Sequence, residues 1–296
     1  MRPEKRAVLI AGPTASGKSA LALARARQMG AVIVNADALQ VYAGLQVVTA
    51  RPGEAELSQA PHLLYGFVDP SVRFSTGAWR AAAARALRET DSRPVIFVGG
   101  TGLYFEALTK GFAEVPAVPP EVVAEAEAEI AGLDAAARGR LIAARDPEMA
   151  ARLRAPDPQR VVRALAVLKA TGRSLATFQD GAQAGLLDGF EVERIVLNPD
   201  REVLRQRIAE RFAGMFENGA VEEVSALLAL GLDPSLPAMK AIGVPEIAGW
   251  LRGELSQEAA IELAVTATRQ YAKRQRTWFR GRMADWLWVD PARRPQ

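Results

Sequence analysis

An α/β fold, a parallel sheet covered by helices on both faces and interrupted by an inserted all-helical domain, is what this 296-residue sequence predicts. Three observations carry that expectation. Short, continuously apolar runs alternate with helical stretches; a glycine-rich turn follows the first run and leads into a helix; and the chain between the third and fourth runs turns Ala-, Glu- and Arg-rich with no strand pattern. Unbroken apolar strands separated by helices mark a parallel sheet buried on both faces, whereas a half-exposed strand would alternate.

In chain order, residues 6–11 (RAVLIA) read as a buried strand, and residues 19–28 as an alanine-rich helical stretch. Residues 31–35 (AVIVN) form a second strand. Ser75 or Thr76 can cap a helix running to about Thr90, and residues 94–98 (PVIFV) form a third strand that ends in Gly99-Gly100. Residues 116–120 (PAVPP) then break the chain. Asp157, Pro158 and Gly172 bracket a helix as N-cap, first helical residue and C-terminal glycine. Residues 193–197 supply the fourth strand, and from Glu202 onward the pattern is helical, punctuated by Gly219, Gly231 and Pro245. The expected division is therefore a catalytic core of residues 1–115 and 189–296, with residues 116–188 inserted as a helical domain.

Composition narrows the functions. Hydrophobic residues are 49% of the chain, enough for a large core. There is no run of about 18 apolar residues and no charged-then-apolar leader, so a cytoplasmic protein with no membrane segment is expected, and a monomer. The sequence has no cysteine, which excludes disulfides and thiolate zinc sites. His62 is the sole histidine, which argues against histidine-rich metal sites and Ser-His or Cys-His nucleophile pairs and suits a structural role. A net charge of +3 and a pI near 9.4 are too mild to assign a nucleic-acid partner, so local clustering must decide.

The strongest motif is Gly12-Pro13-Thr14-Ala15-Ser16-Gly17-Lys18-Ser19, which fits G-x-x-x-x-G-K-[ST] at every fixed position, after a strand and before a helix. Its glycines let backbone N–H groups turn onto phosphate oxygens, the helix start adds a favourable dipole, Lys18 brings a cation, and the Ser19 hydroxyl is placed to ligate Mg²⁺. The loop specifies a diphosphate or triphosphate and leaves the reaction open. Asp37 ends the second strand in Asn35-Ala36-Asp37, so it lies near the loop at the strand C-termini, as a catalyst or as a turn residue. Gly99-Gly100-Thr101 carries no carboxylate where a hydrolysing NTPase could orient its metal. Asp69, after residues 63–68, is the other carboxylate that fits that role, though Gly66 and Pro70 make it read more like a loop residue.

A basic cluster follows near the end. Residues 269–282 (RQYAKRQRTWFRGR) hold six basic residues and no acidic one. On a helix, Arg269, Lys273, Arg276 and Arg280 fall at spacings of four, three and four and form one cationic stripe. Tyr271, Trp278 and Phe279 are left to be buried or to stack on a base.

Five blocks, in this order, carry a resemblance: residues 12–19, 35–52 (NADALQVYAGLQVVTARP), 99–105 (GGTGLYF), 159–165 (QRVVRAL) and 268–280 (TRQYAKRQRTWFR). Together they resemble the bacterial tRNA dimethylallyltransferases, from Ala7 to about Trp288. The resemblance implies a P-loop NTPase-like core with a helical insertion that contacts tRNA. It implies transfer of a dimethylallyl group from dimethylallyl diphosphate to the N6 amine of the adenosine immediately 3′ of the anticodon, releasing diphosphate. In these terms Asp37 is the general base, Thr101 and Arg211 stand by the leaving group (with Arg207 one turn from Arg211 as an alternative), and Ser19 binds Mg²⁺. Asp37, Ala38, Leu39, Gln40 and Thr101 adjoin the reacting base. Gln159, Arg160, Val161, Val162, Arg163, Lys240 and the stripe Arg269, Lys273, Arg276 and Arg280 contact tRNA.

The sequence departs from the family at two places. Leu63 follows Pro61-His62 where a second His or an Arg is usual, and Gly243-Val244-Pro245 stands where Gly-Tyr and a basic residue are typical; Lys240 and the stripe are the compensating cations. Three other readings compete. A small-molecule P-loop phosphotransferase is opposed by the tRNA-type blocks and the stripe. A prenyltransferase of free adenine nucleotides is opposed by the insertion. An RNA-binding GTPase-like switch is opposed by the lack of an Asn-Lys-x-Asp segment.

Overall fold

The computed structural model describes residues 5–111, 113, 115–153, 156–181 and 184–292; residues 1–4 and 293–296, the ends of the expected core range, lie outside them. The first part of the chain runs β1 (Arg6–Ala11), α1 (Lys18–Met29), β2 (Val32–Asn35), α2 (Glu54–Leu57), β3 (His62–Leu63), α3 (Thr76–Glu89), β4 (Val95–Gly99) and α4 (Gly102–Thr109). Five helices follow: α5 (Pro120–Ile130), α6 (Ala135–Arg145), α7 (Pro147–Arg152), α8 (Pro158–Thr171) and α9 (Leu175–Gln179). The chain then forms β5 (Glu191–Leu197), α10 (Arg201–Glu217), α11 (Ala220–Ala229), a 3-10 turn (Ala238–Lys240), α12 (Val244–Leu251), α13 (Gln257–Arg282) and β6 (Leu287–Val289).

All six strands are parallel, in the order β3-β2-β4-β1-β5-β6. Alternate residues of each strand face opposite sides of the sheet. Val8, Ile10, Ile33, Ile96 and Ile195 pack with Ala22 and Ala26 of α1 on one face. On the other, Leu9, Val34, Phe97 and Val196 pack against residues of α3, α4, α10 and α13. The α/β class read from the sequence is the fold observed. The two strands it does not reveal, β3 and β6, are two and three residues long and lie at the sheet's edges. Runs that short carry no periodicity.

Local signals behave as their chemistry requires. Ser75 accepts the N–H of Ala78 at 3.1 Å to start α3. Asp157 accepts that of Arg160 at 3.1 Å to start α8, which ends at Gly172 in the left-handed region, φ 69°. Pro245 marks a boundary in the helical pattern: it sits in the first turn of α12, where its missing N–H costs nothing, after Gly243 at φ 104°.

The chain divides into two compact units, one of Met1–Thr109 with Leu186–Gln296, the other Lys110–Gly185. The second has its own core, including Ala126, Ile142, Leu165 and Val167. In the first, Leu187 donates its N–H to the Leu108 carbonyl at 3.2 Å and is buried. No helix among the described residues is long and apolar enough to cross a membrane.

Parallel pairing brings the C-terminal ends of β1, β2 and β4 to one edge, and β4 comes very near β2 there. A Cβ on Gly99 would lie 2.0 Å from the Ala36 carbonyl oxygen and 2.7 Å from the Asp37 nitrogen, both backbone atoms that cannot swing away. Gly99→Ala is therefore expected to destabilise the fold by at least ~1–3 kcal/mol, the usual cost of overpacking. Thermal unfolding checks this, and a wild-type midpoint would contradict the close approach.

Candidate active site

Residues 12–19 curl over the end of β1. Ala15 (φ 61°) and Gly17 (φ 88°) take left-handed backbone, and Gly17 begins α1. The floor is tight: a Cβ on Gly12 would lie 2.7 Å from Ser16 Oγ and 3.1 Å from the Leu197 carbonyl oxygen. The Ser16 hydroxyl is buried with no hydrogen-bond partner among the described residues. Lys18 Nζ lies 3.4 Å from the Pro13 carbonyl. Burial pulls its ammonium down to about 8, Asp37 opposing and Arg211 reinforcing the shift. Ser19 is exposed in the first turn of α1.

Asp37 is held by its neighbours on β2. The buried Asn35 donates from Nδ2 to the carbonyls of Asp37 (2.9 Å) and Leu64 (3.0 Å), and its Oδ1 accepts the Asp37 N–H at 2.8 Å. Asp37 Oδ1 accepts the Leu39 N–H at 3.1 Å. Thr101 locks the same segment to the end of β4: its Oγ1 accepts the Ala38 N–H at 2.9 Å and its own N–H reaches the Ala36 carbonyl at 3.2 Å. The structure thus brings together Asp37, Thr101, Lys18 and the phosphate loop, which lie far apart in sequence.

A cavity of about 80 Å³ opens beside Asp37, with Thr14, Leu39, Arg211 and Tyr271 among its lining residues. A second, of about 280 Å³, reaches Ser19, Arg51, His62 and Tyr65, and Ala50 and Arg211 line both. Burial lowers the pKa of the Arg211 guanidinium and Asp37 partly offsets it. Arg207 also approaches the loop, its Nη1 being 3.9 Å from where a Cβ on Gly17 would stand. Arg207 and Arg211, both on α10, therefore flank residues 12–19. Burial, then Asp37, raises the pKa of the Tyr271 hydroxyl; Arg274 and a hydrogen bond with Gln275 pull it back.

Residues 48–50 form a wall of the first cavity, in a segment clamped from both ends. Glu223 accepts the N–H groups of Gln46, Val47 and Val48, the last two at 2.9 Å. Gln40 Nε2 donates to the carbonyls of Thr49 (2.9 Å) and Ala50 (3.0 Å), so its amide braces the wall. Glu223 and Gln275 are the site-building residues that motif reading misses. For Gln275 a signal existed: it is an uncharged amide inside a cationic run, in helical phase with the core-facing Trp278 and opposite the stripe.

The stripe forms as spaced. Arg269, Lys273, Arg276 and Arg280 of α13 line an open groove of about 740 Å³ together with Arg201 and Arg205 of α10. Arg205 pairs with Glu202 at 2.7 Å. Among the described residues Arg269, Lys273 and Arg280 enter no ion pair. Burial lowers the pKa of Arg276, and Arg280 and Arg201 add to it against Asp200, so like charges crowd here. The aromatic residues do not line up for base stacking. Phe279 is buried, and Trp278 packs so closely that a Cβ on Gly102 would lie 2.1 Å from its ring. Tyr271 lines the cavity beside Asp37.

Other expected residues divide by exposure. Gln159, Arg160 and Arg163 are exposed on α8, and Lys240 is exposed on its 3-10 turn. Val161 is 0% exposed and Val162 packs against the same core, so neither side chain offers much to a polynucleotide. Asp69 accepts the Ser71 N–H at 2.9 Å, as a turn residue does. His62 Nδ1 lies 2.8 Å from the Ala60 carbonyl and its ring meets Tyr65 edge-on at 5.7 Å, a structural placement.

A glycine-rich loop at a strand end, beside a carboxylate and two arginines on a parallel sheet, is the architecture of the P-loop class of α/β proteins. The IPP transferase family model matches residues 40–282. The chain belongs to that family. The tRNA dimethylallyltransferase of Methylobacterium sp. (strain 4-46) is 53% identical over 290 residues, 97% of this chain and 94% of that one. That of Chelativorans sp. (strain BNC1) is 53% identical over 286 residues, 95% and 98% of the two chains. Among solved structures, the full-length tRNA isopentenylpyrophosphate transferase of Bacillus halodurans matches with a TM-score of 0.68 at 31% identity, covering 97% of this chain and 90% of that one. A eukaryotic dimethylallyltransferase acting on tRNA matches with a TM-score of 0.80 at 26% identity, covering 97% and 74%.

The depressed Lys18 pKa sets a pH dependence. Below about 8 the ammonium is charged in the folded protein; above it the free site loses a cation that an anion needs. Affinity for inorganic diphosphate is expected to fall as pH rises through about 8, by up to tenfold per unit. Calorimetric titration from pH 6 to 10 measures it, and a profile without that fall would remove Lys18 from the site.

Proposed function

We propose that this chain transfers a dimethylallyl group from dimethylallyl diphosphate to N6 of the adenosine immediately 3′ of the anticodon in tRNA, releasing diphosphate. The observation that carries the reading is that Asp37 and Arg211 share one open cavity with Thr14 of the phosphate loop. The adenine amine is a weak nucleophile because its lone pair is delocalised into the ring. Asp37 accepts its proton as the C–N bond forms and the bond from the allylic carbon to the diphosphate oxygen breaks. Lys18, the loop amides, Arg211, Arg207 and the Thr101 hydroxyl stand where the departing diphosphate gathers charge.

The donor set suits Mg²⁺. This ion takes one or two protein oxygens beside phosphate oxygens and waters, and the exposed Ser19 hydroxyl supplies one. Bound there, the ion would neutralise charge on the leaving group. The loop serves the donor's diphosphate, so the reaction needs no ATP. The chain acts as a monomer in this reading, and tRNA as substrate implies work in the cytoplasm. The tRNA is held outside the sheet, by Arg160 and Arg163 of α8 and by Arg269, Lys273, Arg276 and Arg280 of α13. Ala38 and Leu39 adjoin the reacting base, which must leave its stack at a cost of about a few kcal/mol. Gln159 and Lys240 add polar contacts.

Mass spectrometry of tRNA nucleosides after incubation with dimethylallyl diphosphate and no ATP tests the reading: prenylated adenosine is expected, and its absence rejects it. Asp37→Asn keeps the shape but not the base. It is expected to slow single-turnover transfer by about 10²-fold or more with little change in tRNA affinity.

Replacing Lys273 and Arg276 together by Ala is expected to raise the KM for tRNA several-fold and to flatten its salt dependence by about one unit per lost contact, sparing the KM for the donor. An unchanged tRNA KM and salt slope would reduce the stripe to a solvated face.

A further inference from the structure

Gln275 lies on the inward side of α13 and is 6% exposed. Its Oε1 accepts the N–H of Thr14, in the phosphate loop, at 3.0 Å. Its Nε2 donates to the carbonyl of Gly100, just past β4, at 2.9 Å. Gly100 adjoins Asp37 in turn: a Cβ there would lie 2.2 Å from Gln275 Nε2 and 3.2 Å from Asp37 Oδ2. One side chain thus ties the loop to the strand end that positions Asp37. A primary amide of this length accepts at one end and donates at the other. A carboxylate loses the donor and sets a negative charge beside the loop, and an apolar side chain loses both bonds and leaves two backbone groups unpaired.

The helix that carries Gln275 bears Arg269, Lys273, Arg276 and Arg280 on its outer side, while Trp278 wedges it against Gly102. A shift of α13 on meeting a polyanion therefore passes through a packed ring and a buried amide to the phosphate loop. Resting on the reading above, in which the loop takes the diphosphate and the outer face takes tRNA, we propose that Gln275 is a positioning residue that sets the phosphate loop in register with Asp37 and couples tRNA binding to the donor site.

The test titrates inorganic diphosphate into the full chain with and without saturating tRNA, for wild type, Gln275→Glu and Gln275→Met. In wild type, tRNA should change the affinity for diphosphate. In both variants that change should vanish and diphosphate should bind roughly tenfold more weakly, the loss expected for buried hydrogen bonds. The affinity for tRNA alone should stay within about twofold, because the outer face is untouched. In steady state the variants should raise the KM for the donor and spare that for tRNA. Unchanged diphosphate affinity in either folded variant overturns the proposal, as does an equal loss for both ligands, which marks a packing residue. A wild-type chain whose diphosphate affinity ignores tRNA overturns the coupling. Should neither variant fold, the wild-type Gln275 side-chain amide resonances decide: they shift on adding diphosphate, and again on adding tRNA, or the proposal fails. A chain that binds diphosphate but does not prenylate tRNA defeats the functional reading alone, since the diphosphate titrations still judge the link from Gln275 to the loop.

Discussion

The contact between the ends of β2 and β4 is the constraint on which the site depends. Gly99 lets the two backbones approach more closely than any Cβ allows, and Thr101 then reaches across to hold the Ala38 N–H. The approach turns the segment 35–38 so that Asn35 can bond on both sides of Asp37. Its other partner, the Leu64 carbonyl, ties in the chain after β3. Trp79 on α3 closes the arrangement by donating to the Asn35 carbonyl at 3.0 Å from beneath the sheet. A carboxylate fixed by this many partners keeps its orientation without help from a ligand, which is what a proton acceptor requires.

Glycine at positions 99, 100 and 102 serves one purpose three times, which is access. Ala36, Gln275 and Trp278 fill the spaces their side chains would occupy. The result is a core in which β2 and β4 meet backbone to backbone, while the Gln275 and Trp278 side chains of α13 fill the space left by Gly100 and Gly102. Close packing of that kind transmits small shifts instead of absorbing them.

The sequence showed the sheet clearly and its edges poorly, for a physical reason. Interior strands such as β1 and β4 are buried on both faces and read as unbroken apolar runs. β3 and β6 hold two or three residues each and are specified by their neighbours. Caps were legible where a single side chain does the work, as at Ser75 and Asp157. Pro245 was legible as punctuation, and only the structure shows that it opens a helix. In the site, the phosphate loop was legible because its chemistry is confined to eight consecutive residues. Gln275 and Glu223 were not, because each acts on backbone groups more than 170 residues away, and such a partner leaves no local pattern. The aromatic residues of α13 were half legible: their spacing told that they leave the stripe, and only packing shows that Phe279 and Trp278 turn into the core while Tyr271 turns to the cavity.

The electrostatics of the site favour what leaves it over what enters. Lys18, Arg207 and Arg211 gather around the loop with Asp37 as their nearby carboxylate, and burial depresses both Lys18 and Arg211. Cations held below their usual range are stabilised by an arriving anion, and more so as its charge grows. An esterified diphosphate gains charge on its bridging oxygen as the carbon–oxygen bond breaks. Under the proposed reaction the same cations would interact more strongly with the transition state than with the bound donor, the condition for raising turnover instead of only affinity. A carboxylate that loses its charge on taking a proton complements this. In the proposed reaction, neutralising Asp37 would end its attraction for Lys18 and Arg211 and free both for the diphosphate, so the two halves of that reaction would assist each other.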